Sequence, residues 1–186
     1  MKIKAIIVPG NGGDKPGDKW FPYVKEKLEK LGIETINTEF PDPVIARKEY
    51  WLPFLKELNA NENTILIGHS SGAVAAMRYA ENNKIFGSAL MGVYTEHFNN
   101  EREKQSGYFD SPWNWDAIKN NQKWVIVFAS TDDPFIPITM PREIRDRLKA
   151  EYHEFSDRGH WSQNKIPELV ETLKAKIVLA SLSSER

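Results

Sequence analysis

A serine at position 70 stands between two glycines in the sequence Gly-His-Ser-Ser-Gly at 68–72. A short apolar run precedes this sequence and small residues follow it, which is the order of a strand, a sharp turn and a helix start. Glycines keep side chains away from the turn, so the hydroxyl stands clear beside a helix N-terminus, where developing negative charge is favoured. The pattern predicts that Ser70 is an activated nucleophile for acyl transfer.

A serine nucleophile of this kind needs an acid and then a histidine, each on a loop that follows a later strand. Asp132 and Asp133 follow the apolar run 124–129, and His160 follows the run 152–155. His160 is therefore expected to act as general base. Asp133 lies nearer the following proline and is the predicted acid, whereas Asp132 is expected to bond the loop backbone.

The other three histidines have ordinary structural interpretations. His69 is expected to pack beneath the turn and His153 to lie on a strand surface. His97 is expected to be solvated, with a role at the rim of the site as the alternative. Asp157 comes too early to be the usual acid and is expected to shape the His160 loop.

Two backbone N–H groups are expected to bind the oxyanion that forms during acyl transfer. One belongs to Ser71, and the other to Asn11 in the glycine-rich loop 9–13. Glycine-rich loops also follow the first strand of dinucleotide-binding folds, but Lys15 breaks the required G-x-G-x-x-G spacing. Nucleotide binding is therefore the weaker interpretation.

Strand-like and helical patterns alternate along the whole chain. One helix is expected to begin with Asp42 as its N-cap and Pro43 in its first turn, and to point Val44 inward. The apolar runs predict strands at 3–8, 33–38, 64–67, 88–92, 124–129 and 152–155. This alternation predicts an α/β fold with a mostly parallel, twisted sheet of about six strands and helices on both faces.

The one long irregular stretch, residues 93–122, is rich in aromatic residues and asparagine, and we call it the rim segment. Its length allows a small helix and a rim but no separate cap domain. The aromatic residues predicted to line a substrate pocket are Phe109, Trp113 and Trp115, with Phe135 and Trp161 opposite. For each tryptophan the alternative is packing of the loop onto the sheet.

Composition excludes several classes of function. Among 186 residues, Lys and Arg number 25 and Asp and Glu 26, a balance that argues against nucleic acid or a membrane surface as partner. The absence of cysteine excludes a thiolate metal site and a cysteine nucleophile. No apolar stretch predicts a signal peptide or a membrane span, so a cytoplasmic location is expected. The acyl-transfer chemistry predicted above needs no metal and no cofactor.

Several segments together resemble one known family, the small serine hydrolases related to retinoblastoma-binding protein 9 and the YdeN-like proteins. The resemblance implies a minimal α/β-hydrolase fold over residues 1–186 without a separate cap. It also implies a Ser70, Asp133 and His160 triad that hydrolyses small esters or amides. The matching stretches are VPGNGG at 8–13, PDP at 41–43, WLPF at 51–54, GHSSG at 68–72, MRYAE at 77–81, SGYF at 106–109, PWNW at 112–115, STDDPF at 130–135 and GH at 159–160.

The resemblance does not extend to every property of the family. One relative is named for a retinoblastoma-protein-binding Leu-x-Cys-x-Glu motif, but residues 58–62 here read Leu-Asn-Ala-Asn-Glu. Because the cysteine is absent, retinoblastoma-protein binding is not expected. An aminopeptidase- or amidase-type activity is the alternative to an esterase. A non-catalytic binding protein with a vestigial triad is the alternative from another class, and a flavodoxin-like ligand-binding domain is a distant third.

Overall fold

The computed structural model describes residues 2–184, with side chains described through residue 179. All six strands pair in parallel in one sheet, in the order β2-β1-β3-β4-β5-β6. The strands are β1 (Lys4–Val8), β2 (Glu34–Ile36), β3 (Thr64–His69), β4 (Gly87–Met91), β5 (Val125–Ser130) and β6 (Glu151–Phe155). The helices are α1 (Phe21–Lys30), α2 (Lys48–Glu57), α3 (Ser71–Ala80), α4 (Glu101–Ser106), α5 (Trp115–Asn120), α6 (Thr139–Leu148) and α7 (Pro167–Ser184). None of these helices is both long and apolar enough to cross a membrane.

Helices cover both faces of the sheet. Successive residues of a strand point to opposite faces, so each central strand buries side chains under both helical layers. Ile6 and Leu66 pack on one face beneath α2, α3, α5 and α6, whereas Ile7 and Ile67 pack on the other beneath α1 and α7. A strand buried on both faces consists of apolar residues without polar alternation. The predicted α/β fold with helices on both faces is therefore confirmed, and the sheet is parallel throughout.

The helix predicted to start at Asp42 starts instead at Lys48. Asp42 adopts a positive φ of 48°, and its carboxylate accepts a hydrogen bond from the Arg47 N–H at 3.1 Å. Its side chain therefore closes a turn that precedes the helix. Val44, expected to point inward from that helix, is one of the exposed large apolar residues. The predicted helix start was wrong because the same capping residue type serves helices and turns alike.

The rim segment contains the short helices α4 and α5, and no separate cap domain is present in residues 2–184. It is held to the body of the protein by Arg78 of α3, which is 5% exposed. The guanidinium donates to Tyr108 O at 2.8 Å and to Ser111 O at 2.6 Å, and it lies 3.6 Å from the centre of the Trp113 ring. This anchor places the rim segment beside the carboxyl ends of the central strands.

Candidate active site

Ser70 occupies a strained turn between β3 and α3. Its backbone has φ 53° and ψ −119°, a combination that a serine adopts only where the surroundings enforce it. The Ser70 N–H donates to Met91 O of the neighbouring strand at 2.8 Å, which fixes the turn to the sheet. The hydroxyl thus stands at the N-terminus of α3, where backbone N–H groups and the helix dipole favour negative charge.

The glycines on either side of Ser70 are required by close backbone packing. A Cβ added to Gly72 would lie 2.2 Å from Val8 O, and one added to Gly68 would lie 2.5 Å from Ala73 Cα. Both contacts are with backbone, which cannot move aside as a flexible side chain can. The Gly-x-Ser-x-Gly sequence is therefore what allows α3 to approach β1 closely enough to form the turn.

His160 and Asp133 lie side by side at the same edge of the sheet. His160 Nδ1 is 2.8 Å from Asp133 Oδ2, and the side chain of Asp133 is only 3% exposed. The other carboxylate oxygen accepts from the Phe135 and Ile136 N–H groups at 2.9 and 3.1 Å. A carboxylate only accepts, so His160 donates from Nδ1 and its Nε2 keeps the basic lone pair.

Asp132 holds the two loops together. Its Oδ1 accepts from the Ser130 hydroxyl and from the Gly159 N–H at 2.8 Å, and these bonds lower the pKa of its carboxyl. Ser130 Oγ in turn accepts from the Arg158 N–H at 3.1 Å. Asp157, expected to shape this loop, is exposed and pairs with the Arg158 side chain at 3.2 Å. The loop is therefore shaped from the β5 side, by Asp132.

His69 is buried beneath the turn and supports the His160 loop. Its Nε2 lies 2.9 Å from His160 O, and a carbonyl only accepts, so the proton sits on Nε2. Burial lowers the pKa of His69, the Asp14 carboxylate opposes this shift, and the charge of Lys19 adds to it. Among the described residues its Nδ1 makes no hydrogen bond, and it faces Asp14 Oδ2 at 3.5 Å.

The N–H groups of Asn11 and Ser71 donate no hydrogen bond within residues 2–184. The neighbouring loop N–H groups are used: those of Gly10, Gly12 and Gly13 donate to Asp14 Oδ2, Val44 O and Pro43 O at 3.2, 3.1 and 3.0 Å. The backbone donors of Asn11 and Ser71 are thus free of internal partners among the described residues.

A cavity of about 540 Å³ opens at Ser70 and His160. Its lining combines apolar side chains, among them Phe98 and Ile136, with charged ones. The described residues contain no cluster of three or more acidic and histidine side chains that could hold a metal. The lining residues are Gly10, Asn11, Asp14, Lys19, His69, Ser70, Tyr94, Phe98, Asn100, Arg102, Glu103, Pro134, Phe135, Ile136 and His160.

Of the five aromatic residues predicted for the pocket, one lines the cavity and four pack elsewhere. Phe135 lines the cavity and is 67% exposed. Phe109, Trp113 and Trp115 do not line it and pack against the core instead, which is the alternative given above for the tryptophans. Their side chains therefore fasten the rim segment to the body of the protein.

Trp161 is not a pocket residue, contrary to the prediction. It is fully buried in the core on the opposite face of the sheet, with its ring edge-on to Phe128 and Phe155. The positive φ of Trp161, 58°, turns the chain directly after His160. The side chains of His160 and Trp161 therefore point to opposite sides of the chain. Trp161 lies away from the site although it is next to His160 in sequence.

Two residues that sequence reasoning missed stand next to the site. Glu103, which looks like part of a solvated charge run, is buried in the cavity wall. Gly92 has φ 58°, and a Cβ there would lie 3.0 Å from His160 Cε1. The only sequence signal for Gly92 was a glycine at the end of a predicted strand, and Glu103 gave none.

The chain was compared with known families and structures. The profile of the serine hydrolase family matches residues 5–167. The chain is 45% identical over 180 residues to serine hydrolase RBBP9 of Rattus norvegicus, which covers 95% of this chain and 97% of that protein. It is 27% identical over 154 residues to the YdeN protein of Bacillus subtilis (strain 168), or 78% of this chain and 79% of that protein.

The fold comparison agrees with the sequence comparison. The crystal structure of the ydeN gene product from B. subtilis matches with a TM-score of 0.84 at 22% identity, covering 94% of this chain and 99% of that one. The resemblance read from the motifs is therefore confirmed, as is the α/β-hydrolase fold. The chain belongs to the serine hydrolase family.

Proposed function

We propose that this protein hydrolyses small esters or amides through an acyl-enzyme formed on Ser70, with His160 as general base and Asp133 as the orienting acid. The observation that carries the proposal is the 2.8 Å contact between His160 and Asp133, which leaves His160 Nε2 basic in the cavity that also contains the strained Ser70. Family membership supports the hydrolytic reaction type.

The proposed reaction has two acyl-transfer steps. His160 Nε2 takes the Ser70 proton while Oγ attacks the carbonyl carbon, and the Asn11 and Ser71 N–H groups bind the resulting oxyanion. Collapse of this intermediate breaks the bond to the leaving alcohol or amine, which takes the proton from His160. Water then attacks the acyl-enzyme with His160 again as base, the acid is released, and Ser70 Oγ takes the proton back from His160. Asp133 stabilises the imidazolium in both steps.

The shape of the cavity supports a small substrate. Its volume is about 540 Å³, and no cap domain in residues 2–184 extends it. Phe98, Phe135 and Ile136 supply an apolar surface for an acyl or aryl group beside the proposed oxyanion donors.

Covalent labelling tests the nucleophile. Intact-mass analysis after incubation with a fluorophosphonate is expected to give one adduct on the wild type and none on Ser70→Ala. Ser156→Ala removes an exposed serine from another loop and is the matched control, which should still be labelled. Ester and aminoacyl-amide panels would then assign the leaving group. A folded wild type that gives neither adduct nor turnover would support the binding-protein alternative instead.

Two adjacent aspartates provide a matched test of the acid. Asp133→Asn should lower kcat by roughly 10³- to 10⁴-fold, because the amide favours the wrong His160 tautomer. Asp132→Asn keeps an acceptor for the Ser130 hydroxyl and the Gly159 N–H, so its kcat should change far less. Equal losses in the two variants would contradict the assignment of Asp133.

A further inference from the structure

Glu103 is a buried carboxylate in the wall of the cavity that contains Ser70. It lies in α4 and is 9% exposed, and no cation pairs with it among the described side chains. A carboxylate at this depth is costly unless hydrogen bonds satisfy its oxygens. Both oxygens are satisfied: Oε1 accepts from Asn11 Nδ2 at 2.6 Å, and Oε2 accepts from the Tyr94 hydroxyl at 2.7 Å.

The hydrogen bonds around Glu103 have a fixed direction. Burial raises the pKa of Tyr94 well above its usual value, and the negative charge of Glu103 adds to this effect. Tyr94 therefore stays protonated and donates its single proton to Glu103. The Tyr94 oxygen then accepts from Ser71 Oγ, which lies 2.9 Å away in the buried interior.

The two branches of this network end at Asn11 and Ser71, the residues whose N–H groups are proposed to bind the oxyanion. Ser71 is the first residue of α3 and moves with that helix. Asn11 instead stands in a loop with three glycines, whose backbone has many accessible conformations. A side-chain bond to a buried partner restricts that freedom at Asn11 in particular.

We infer that Glu103 is a positioning residue that sets the separation and orientation of the two oxyanion donors, an inference that rests on the proposed function. Donors stabilise an oxyanion best when their geometry is fixed before the reaction, and small displacements weaken them. One carboxylate connects both donors through side chains, so a movement of either is opposed by the other. Among the described residues the Glu103 carboxylate bonds to Asn11 and Tyr94 and not to Ser70, so its effect reaches the site through those two partners.

Two other roles for Glu103 make different predictions. A residue that only anchors the rim segment would change stability and leave the kcat of the folded enzyme unchanged. A residue that binds a cationic substrate group would change KM for charged substrates alone. A positioning residue changes kcat for neutral substrates, and a neutral side chain of the same shape restores much of the loss.

Two substitutions of Glu103 separate geometry from charge. Glu103→Gln keeps a carbonyl acceptor for Asn11, and its amide N–H can donate to Tyr94, whose hydroxyl then turns to donate to Ser71. Glu103→Ala removes both branches. Glu101→Gln and Glu101→Ala are matched controls, because Glu101 is exposed on the same helix and, within the described part of the chain, forms an ion pair with Lys104 alone.

The assay uses 4-nitrophenyl acetate, a neutral ester, with Ser70→Ala as the blank. Glu103→Ala should lower kcat by roughly 10- to 100-fold with little change in KM, because donors are displaced but not removed. Glu103→Gln should retain kcat within roughly threefold, as expected for a small net change in hydrogen bonding. The rate of fluorophosphonate labelling should fall in parallel, since its P–O oxygen occupies the same site.

Tyr94→Phe gives an independent test if Glu103→Ala does not fold. It keeps the ring and breaks only the branch to Ser71, so kcat should fall by roughly three- to tenfold. Thermal unfolding measured on each variant separates loss of fold from loss of rate.

Several outcomes would overturn the inference. A folded Glu103→Ala with unchanged kcat, while Ser70 still reacts, would overturn it and leave the proposed function standing. Equal losses for Glu103→Gln and Glu103→Ala would assign the effect to charge, and losses confined to cationic esters would assign Glu103 to substrate binding. A wild type without Ser70-dependent hydrolysis or labelling would overturn the proposed function and this inference together.

Discussion

The turn at Ser70 and the rim segment form neighbouring walls of one cavity, but different forces hold them in place. The turn depends on backbone packing so close that there is no space for a side chain at its glycines, as at Gly72 beside Val8 O. The rim segment depends on side chains, chiefly the Arg78 guanidinium and its carbonyl partners. Steric packing makes the turn at Ser70 rigid. The rim segment contains no strand of the sheet, so hydrogen bonds from Arg78 fix its position instead.

The largest effect is expected from breaking the steric packing at the turn. Gly72→Ala would place a Cβ 2.2 Å from Val8 O and 2.3 Å from Pro9 O. We expect the free energy of unfolding to fall by about 3 kcal/mol or more, the upper part of the range for overpacked sites. Urea denaturation followed by circular dichroism measures this loss.

Gly17→Ala is the control for the turn. A Cβ at Gly17 meets no heavy atom within 4 Å, so this variant should stay within about 0.5 kcal/mol of the wild type. Equal stability of the Gly17 and Gly72 variants would show that the packing at the turn is looser than the backbone distances indicate.

The next effect comes from removing the polar anchor of the rim segment. Arg78→Met keeps most of the side-chain volume but leaves Tyr108 O without its donor and the partly buried Glu81 without its cation. We expect a loss of about 2 to 4 kcal/mol in unfolding free energy. Arg147→Met, which removes an exposed pair with Glu143, should cost about 0.5 kcal/mol or less. Similar costs for the two variants would mean that Arg78 does not anchor the segment.

The contrast between the turn at Ser70 and the rim segment also explains which features could be predicted from the sequence. The central strands and the turn at Ser70 follow from local patterns, because a doubly buried strand is an apolar run and the tight turn requires its glycines. The partnership of Asp133 with His160 was open to prediction because both follow strands that end at one edge of the sheet. Each of these inferences starts from a pattern that is local in sequence, an apolar run and the residues that follow it.

The rim segment could not be predicted in the same way. Glu103 stands between Arg102 and Lys104 in what reads as an exposed run, and its partner Asn11 is 92 residues away. Trp113 reads as a pocket residue until Arg78 is known to stack on it. Contacts of this range depend on how the chain folds back on itself, and no local pattern records them.

Gly92 stands where the two regions meet, at the end of β4, and tests whether the steric packing of the turn extends to His160. Gly92→Ala would force a side chain to φ 58° with its Cβ 3.0 Å from the histidine ring. We expect a stability loss of about 1 to 3 kcal/mol from the backbone strain. We also expect kcat to fall roughly 10- to 100-fold, because the ring is displaced.

Gly32→Ala is the matched control for Gly92, since Gly32 has φ 79° and open space around it. Gly32→Ala should show only the loss of stability caused by a side chain at positive φ and should leave kcat unchanged. If both variants keep wild-type kcat, the contact with Gly92 does not position His160.

The smallest expected effect is a difference between the two regions in how their contribution to stability depends on pH. Arg78 stays charged at any accessible pH, but His69 beneath the turn is buried with its pKa lowered, between Asp14, Lys19 and the His160 loop. The unfolded chain binds the proton first, so the stability contributed by neutral His69 is complete above about pH 6.5 and falls below it. By pH 5.5 the loss is at most about 1.4 kcal/mol, the limit set by one proton over one pH unit. Urea denaturation between pH 7.5 and 5.5 should therefore show a steeper decline for the wild type than for His69→Gln, whereas parallel curves would mean that His69 is not held neutral by the fold.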